Sequence, residues 1–297
     1  MSNVTFGILM SLASSFFWAW AVIHFRRARD TKTSLVVNLG KNIVGIISFS
    51  LAILIAGVSY FQPVSAKELL LLTASGVLGV AIGDLLFMAS LYLLGAGMNS
   101  IVGCVYTPIL ISGSILFLGE KLTPGLIAGS VLVTVAIYLA SVTDFRNKPK
   151  NLYLGIVIGI LSMAATASSV IIMKPLLTDG SLVWNFQVNL IRLLTGSIVL
   201  IIWFIIKPSR HVDFTSLKNR EGWKNIITGG LTGSFLAVLF WTLSLSSLPA
   251  SVIAVLGQLT VIVIIFFARI FLGEAITKLK IAASFLAISG ALAASFF

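Results

Sequence analysis

Three ionisable side chains, those of Lys41, Asp84 and Arg192, lie inside long apolar stretches of the sequence. A charged group removed from water normally faces a partner, a cavity or a bound molecule, because its desolvation is costly. In one interpretation the two cations attract a carboxylate or another anionic group. Asp84 then binds an amino group, carries a coupling proton or restrains Lys41. In a second, structural interpretation, Lys41 pairs with Asp84. Arg192 is then held by backbone carbonyls and by Asn189 or Asn185. Both interpretations remain open from the sequence.

Uncharged polar and aromatic residues in the same apolar stretches extend the candidate binding site. Amide and hydroxyl groups orient a small organic ligand, and aromatic side chains contact its apolar part. The further candidate residues for substrate binding are Asn38, Asn42, Asn189, Trp18, Ser14 and Gln258. Asn38 is three residues from Lys41, so the two share a helical face. For Trp18, packing in the core or against lipid is the alternative.

Groups for a metal site or for covalent chemistry are scarce. The chain has two histidines, a single cysteine, Cys104, and one aspartate, Asp84, within an apolar stretch. These residues do not provide paired intramembrane carboxylates, a His-rich metal cluster or an acidic run for diphosphates. We therefore expect no catalytic residues, no metal, no cofactor and no enzyme activity.

The elements that position the candidate residues are expected to lie in a membrane. Of the 297 residues, 58% are hydrophobic and 10% are charged, and the mean hydropathy is +1.10. A water-soluble protein of this length could not cover its surface with so few polar groups, so the lipid bilayer is the expected surrounding. The net charge of +11 does not indicate nucleic acid, because the basic residues lie in short breaks between apolar runs.

Apolar runs of about 18 residues or more predict membrane-spanning helices, because such a helix crosses roughly 30 Å of hydrocarbon. Ten runs qualify, which predicts an all-α integral membrane protein. The predicted spans are residues 6–25, 35–57, 69–94, 98–118, 124–142, 152–173, 182–206, 225–247, 250–272 and 278–297. The third and fourth spans are joined only by three small residues, and the eighth and ninth meet at a proline.

The phrase FLGE occurs at Phe117 and again 154 residues later, at Phe271. In each copy a glycine and a glutamate follow the end of a predicted helix, and a threonine able to cap the next helix comes three residues after the glutamate. Glu120 and Glu274 are therefore interpreted as turn residues at the membrane interface rather than as direct substrate contacts.

A second pair of similar phrases, VNLGKNIVG and VNLIRLLTG, places Lys41 opposite Arg192. The simplest account is a duplication into two five-helix repeats, residues 6–143 and 152–297. Because five is an odd number, the second repeat must enter the membrane from the opposite side. The sequence thus predicts an inverted repeat, in which a substrate site lies between the two halves.

The LGE-x-x-T phrase in each half, the basic residue in the second helix of each half and the ten-helix length resemble the EamA-type branch of the drug/metabolite transporter superfamily. The resemblance covers nearly the whole chain, and it implies a membrane carrier for amino acids, other metabolites, sugars or drugs. The family often has a proline in the fourth helix of each half. Pro108 matches it, whereas the equivalent AVLGQLTVIVII has none and offers Gln258. We therefore expect a differently bent ninth helix.

The loops predict an orientation in the cell membrane. Fourteen of the 20 Lys and Arg residues lie in the odd-numbered connections and three lie in the even-numbered ones. The excess of positive charge marks the cytoplasmic side, which places the odd connections in the cytoplasm and both termini outside. This orientation is the reverse of the one that most EamA-type relatives suggest.

An inverted repeat favours alternating access over a channel, because two similar arrangements of the halves can expose one central site to either side. We expect a secondary transporter, an exporter or an exchanger, for a small organic metabolite such as an amino acid or another zwitterionic or anionic compound, with a proton or cation as a candidate coupling partner. The alternative on the same fold is a flippase for a lipid-linked sugar or another lipid. No oligomeric state is predicted.

Overall fold

The computed structural model describes most of the chain. The described residues are 3–56, 62–141, 151–177, 181–273, 282, 285–286, 288–290 and 292–293. Within these residues every regular element is a helix.

In the first half of the chain, the described residues form six α-helices, with a π-helix and a 3-10 turn between them. These elements are α1 (Asn3–Ala28), α2 (Ser34–Ala56), α3 (Ala66–Ser75), the first π-helix (Gly76–Gly83), α4 (Asp84–Val102), the 3-10 turn (Gly103–Val105), α5 (Tyr106–Leu118) and α6 (Pro124–Ser141). The second half follows a similar order. Its elements are α7 (Leu152–Met173), a 3-10 turn (Lys174–Leu177), α8 (Leu182–Ile206), α9 (Arg210–Lys218), α10 (Trp223–Gly229), the second π-helix (Gly230–Ala237), α11 (Val238–Ser247), α12 (Ala250–Gly257) and α13 (Leu259–Leu272).

Seven helical stretches of the described chain are long and apolar enough to cross a membrane. Two shorter apolar helices, Gly103–Leu118 and Pro124–Ala136, accompany them. The predicted tenth span, residues 278–297, lies largely outside the described residues, although those described between 282 and 293 are helical. The protein is a multi-pass helical membrane protein, and the count of ten spans stays a prediction.

Local sequence explains how several helices begin and end. Ser65 and Glu68 form a capping box at the start of α3, in which the Glu68 N–H donates to Ser65 Oγ and the Glu68 carboxylate accepts from the Ser65 N–H at 2.8 Å. Gly119 ends α5 with a φ of 67°, and Gly273 ends α13 with a φ of 72°. Both are the glycines of the repeated FLGE phrase, which therefore ends a helix in each half.

Before Gly95, α4 runs antiparallel to α7. Ser90 Oγ donates to the Gly155 carbonyl at 2.9 Å. Further from Gly95, Ser162 Oγ donates to the Gly83 carbonyl at 2.8 Å. Gly95 itself has a φ of 77°, a backbone conformation that would be strained in a residue with a side chain.

Beyond Gly95 the chain runs parallel to α7. Gly103 faces Met163, and Gly113 packs directly against Ile171. The chain therefore reverses at Gly95, between the segments that the sequence assigned to the third and fourth spans. In the second half the corresponding corner lies at Leu248 and Pro249, between α11 and α12.

The second helices of the two halves, α2 and α8, run antiparallel to each other. Phe49 of α2 lies beside Phe186 of α8, with ring centroids 6.1 Å apart. Gly45, earlier in α2, instead packs against Leu193, which comes later in α8. Equivalent helices that point in opposite directions are the mark of an inverted repeat.

Each half supplies a π-helix that packs against the other half. The first π-helix contacts α7 and α8, and the second contacts α1 and α2. Glycine permits this approach, since a Cβ on Gly76 would lie 2.6 Å from the Arg192 carbonyl oxygen and one on Gly230 would lie 2.8 Å from Val44 Cβ. The two halves therefore interlock, and π-helical turns line the region between them. Sequence reasoning did not foresee either π-helix.

Candidate functional site

A cavity of about 260 Å³ lies between the two halves. Ligand pockets typically span about 300–1,000 Å³, so a cavity just below this range suits only a small molecule. The polar residues that line the cavity are Ser11, Ser14, Ser15, Lys41, Asp84, Asn99, Ser100, Tyr106, Thr166, Asn189, Arg192, Ser234, Gln258 and Thr260. Trp18, Phe87 and Trp241 add aromatic surface. Both halves contribute to the lining, as an inverted repeat requires of a central site.

Lys41 and Asp84 form an ion pair at the cavity wall. Lys41 Nζ lies 2.6 Å from Asp84 Oδ2 and donates a second hydrogen bond to Asn42 Oδ1 at 2.8 Å. The Lys41 side chain is 3% exposed, whereas that of Asp84 is 23% exposed. The carboxylate is therefore the more accessible partner, and the ammonium group is restrained behind it. This pair agrees with the structural interpretation of the sequence while still lining the cavity.

Arg192 lines the same cavity without a carboxylate partner among the described residues. The three ion pairs there involve other side chains. Arg192 donates from Nε to Ser75 Oγ at 3.0 Å and from Nη2 to Ser169 Oγ at 3.1 Å. Both serines are fully buried. The predicted hydrogen-bond partners of Arg192 were Asn189 or Asn185. The observed partners are instead hydroxyl groups of α3 and α7, two helices that pack against α8 near the guanidinium.

Four further predicted residues, Ser14, Trp18, Asn189 and Gln258, also line the cavity. Asn189 Nδ2 donates to Thr242 Oγ1 at 2.9 Å, while its Oδ1 atom is buried with no hydrogen-bond partner in the described part of the chain. An unsatisfied buried acceptor is costly. Asn189 Oδ1 is therefore an unpaired acceptor in a residue of the cavity wall.

The remaining predicted residues, Asn38 and Asn42, lie behind the cavity wall. Asn38 Nδ2 donates to the Val80 carbonyl of the first π-helix at 3.1 Å, and Asn42 accepts from Lys41. Both side chains are fully buried and neither lines the cavity. The helical spacing grouped Asn38 with Lys41, but the Asn38 side chain contacts the first π-helix.

The last carbonyl of each π-helix accepts a serine hydroxyl from the opposite half. Ser14 Oγ donates to the Ala237 carbonyl at 2.9 Å, and Ser162 Oγ donates to the Gly83 carbonyl at 2.8 Å. These equivalent bonds satisfy backbone groups inside the membrane, where water is absent. Ser14 therefore has a structural bond in addition to its place at the cavity.

Sequence reasoning identified neither Ser75 nor Ser169 as a partner of Arg192. One available signal was a difference between the repeats. Ser75 precedes the first π-helix, whereas a glycine, Gly229, precedes the second. The contact of both serines with Arg192 depends on three helices from both halves. It is therefore not visible in any single stretch of sequence.

Glu120, from the repeated phrase, caps a helix of the other half. Its carboxylate accepts from the Ala250 N–H at 2.7 Å, from the Ser251 N–H at 3.0 Å and from Ser251 Oγ at 2.5 Å. On the other side of the same corner, Lys174 Nζ donates to the Leu248 carbonyl at 2.8 Å. A carboxylate thus compensates the partial positive charge at the start of α12, and an ammonium group compensates the partial negative charge at the end of α11. The second glutamate of the phrase, at position 274, lies outside the described residues.

Removing this cap should destabilise the protein. Glu120→Ala leaves two N–H groups at the start of α12 without their acceptor, which costs about 1–2 kcal/mol. For a chain of this size we expect the apparent melting temperature in detergent to fall by roughly 2–8 °C. Glu221→Ala, which removes an exposed carboxylate, is the matched control and should leave the melting temperature unchanged. Equal melting curves for wild type and Glu120→Ala would contradict the capping role.

Comparisons with known proteins agree with this architecture. No curated protein matches the sequence. A solved crystal structure of another protein superposes with a TM-score of 0.74 at 17% sequence identity, over 97% of this chain and 96% of that one. At this identity the similarity concerns the fold alone. The model of the EamA-like transporter family matches residues 5–142 and again residues 153–296. The chain therefore belongs to the EamA-like transporter family, within the drug/metabolite transporter superfamily.

Proposed function

We propose that the protein is a secondary carrier that moves a small zwitterionic or anionic metabolite across the membrane by alternating access. One observation supports this above the others. Arg192 lines a cavity between two inverted halves, is only 6% exposed and has no carboxylate partner among the described residues. A buried cation without a counter-ion is costly, so a cargo with a negative group repays part of that cost on binding.

The opposite end of the cargo is expected to face Asp84. Its side chain is 23% exposed, and its Oδ2 atom already accepts from Lys41. A carboxylate with remaining acceptor capacity can bind an amino group. An amino acid offers both required charges within a few ångströms, and it fits a cavity of about 260 Å³. Amino acids are therefore our reference cargo.

The proposed cycle uses the two five-helix repeats, residues 6–143 and 152–297, as the moving halves of a ten-helix carrier. Each half packs its π-helix against the first two helices of the other, so a tilt of one half changes which end of the interface is open. The basic connections are expected to lie in the cytoplasm. Export or exchange across the cell membrane is the direction that we propose.

Counterflow into proteoliposomes tests the proposal. Purified protein is reconstituted into vesicles preloaded with one unlabelled amino acid or small carboxylate, and uptake of the same labelled compound is followed. We expect transient accumulation for at least one such compound, which empty vesicles do not show. The alternative, a lipid flippase, is tested in parallel by the exposure of a fluorescent lipid-linked sugar at the outer leaflet. Lipid movement without counterflow of any soluble compound would overturn the proposed carrier.

A further inference from the structure

We propose that Ser75 and Ser169 are positioning residues, which hold Arg192 so that a carboxylate of the cargo binds end-on to its guanidinium group. This inference rests on the proposed function and names the anionic group that the site selects. A carboxylate presents two oxygens on one carbon, and it matches a pair of parallel N–H groups of arginine.

The two serine hydroxyls occupy one of the two forks of the guanidinium. Ser75 Oγ and Ser169 Oγ lie 2.9 Å apart. Arg192 Nε donates to the first at 3.0 Å, and Nη2 donates to the second at 3.1 Å. This side-on fork is one of the two edges that an arginine offers to a carboxylate in an ion pair. The two hydroxyl oxygens therefore occupy the positions that the oxygens of a carboxylate would take, but they carry no negative charge.

The second fork of the guanidinium lies between Nη1 and the remaining N–H of Nη2, and its N–H groups can donate to a molecule in the cavity. Within the described residues Nη1 donates no hydrogen bond, and Arg192 is part of the cavity lining. Five N–H donors belong to an arginine, and the serines use two of them. The free end-on edge can bind both oxygens of a carboxylate at once, since no carboxylate of the described chain pairs with Arg192 directly.

The bonds between the serines fix their hydroxyl hydrogens away from Arg192. Ser75 Oγ donates to the Ser169 carbonyl at 2.9 Å, and Ser169 Oγ donates to the Ser75 carbonyl at 2.7 Å. With their hydrogens used in this way, both oxygens present lone pairs to the guanidinium. The network joins α3, α7 and α8, so the orientation of Arg192 is set by both halves of the protein.

The equivalent place beside Lys41 lacks this device. Gly229 stands where Ser75 stands in the first half, before the second π-helix. Ala21 approaches Gly233 in the way that Ser169 approaches Gly79. The hydroxyl pair is therefore not a general feature of the repeat. It occurs only beside the cation that has no counter-ion in the described chain, as a positioning role requires.

Counterflow kinetics of the double variant Ser75→Ala/Ser169→Ala test this role. The probes are the standard amino acids and their carboxamides, which replace the carboxylate by a neutral group. Loss of both hydroxyls should raise KM for the transported acid about ten-fold with little change in the maximal rate, because the charge remains but its orientation is lost. The preference for acid over carboxamide should fall by a similar factor. Ser244→Ala, which removes a fully buried hydroxyl bonded to the Gly7 carbonyl, is the matched control.

The outcomes separate this inference from the proposed function. If wild-type protein gives no counterflow with any acid, the proposed function fails. If wild type transports an acid and the double variant keeps the same KM and the same preference over the carboxamide, the positioning role is wrong. If the double variant does not fold, Arg192→Lys decides instead. It keeps the charge but not the fork, so an unchanged preference for the acid would overturn the inference.

Discussion

Arg192→Gln should reduce carboxylate counterflow by at least about 100-fold, because the variant loses two hydrogen bonds from a charged donor, each worth about 1.5–3 kcal/mol. Glutamine is shorter than arginine but remains polar, so the change removes the charge and the fork while keeping a side chain that can hydrogen-bond. The measurement is the initial rate of counterflow at a fixed concentration of the transported acid. Lys67→Gln, at an exposed position near the start of α3, is the control and should behave as wild type.

The stability of the same variant gives a second, independent test. Arg192 is buried without a carboxylate partner in the described chain, so its removal relieves an uncompensated desolvation cost. We therefore expect Arg192→Gln to melt at the same temperature as wild type or higher. Lys41→Gln should melt lower, because it leaves Asp84 without its partner. A large loss of stability in Arg192→Gln would indicate a packing role and would contradict the proposed binding role.

Val238→Asp should raise KM for carboxylate counterflow by about 10- to 100-fold, because it places a second carboxylate at the cavity. Val238 begins α11 directly after the second π-helix, as Asp84 begins α4 directly after the first. The repeat therefore places an acid next to the cation of the first half and an apolar side chain at the matching position of the second half. Val238 also lines the cavity. An aspartate there would provide Arg192 with the counter-ion that Lys41 already has.

A counter-ion fixed in the protein competes with the cargo at a high effective concentration. Millimolar effective concentrations are common for tethered groups, so a fixed carboxylate with an intrinsic dissociation constant of about 10–100 μM for Arg192 lowers the apparent affinity of the cargo roughly 10- to 100-fold. The expected result is a rise of KM by that factor in counterflow. Val238→Asn introduces a polar side chain of the same size without the charge, and it should change KM much less. Equal defects in the two variants would mean that the shape of the cavity, rather than its charge, explains the effect.

Much of the architecture could be predicted because membrane helices leave long apolar runs. The runs placed α2, α7 and α8 within one or two residues of their observed ends, and the repeated FLGE phrase marked two helix stops with left-handed glycines. The π-helices could not be predicted in the same way. A widened turn has no distinct composition, and it depends on the helix of the opposite half that packs against it.

The candidate site was predicted by residue type and not by contact. Lys41, Asp84 and Arg192 stood out because charge is rare and costly in an apolar run. Their partners were not accessible by the same reasoning, because serine is common in membrane helices and is not costly there. Ser75 and Ser169 are brought together by helices from both halves, so their contact exists only in the assembled fold. For Asn38 the helical spacing did not reveal the contact either, since its side chain donates to the Val80 carbonyl of the first π-helix and does not line the cavity.

The ion pair and the lone guanidinium together give the described cavity lining a net charge of +1, from Lys41, Asp84 and Arg192. A charge that moves through the electric field of a membrane changes in energy by up to about 2.3 kcal/mol per 100 mV. In the proposed cycle, a bound monoanion cancels this charge, whereas a bound zwitterion leaves it in place. An inside-negative potential therefore favours the orientation in which the positive charge of the empty or zwitterion-filled cavity lies nearer the cytoplasm. The same potential does not favour either orientation when the cavity holds an anion and its net charge is zero. The voltage dependence of transport is thus a direct reading of the charge of the cargo.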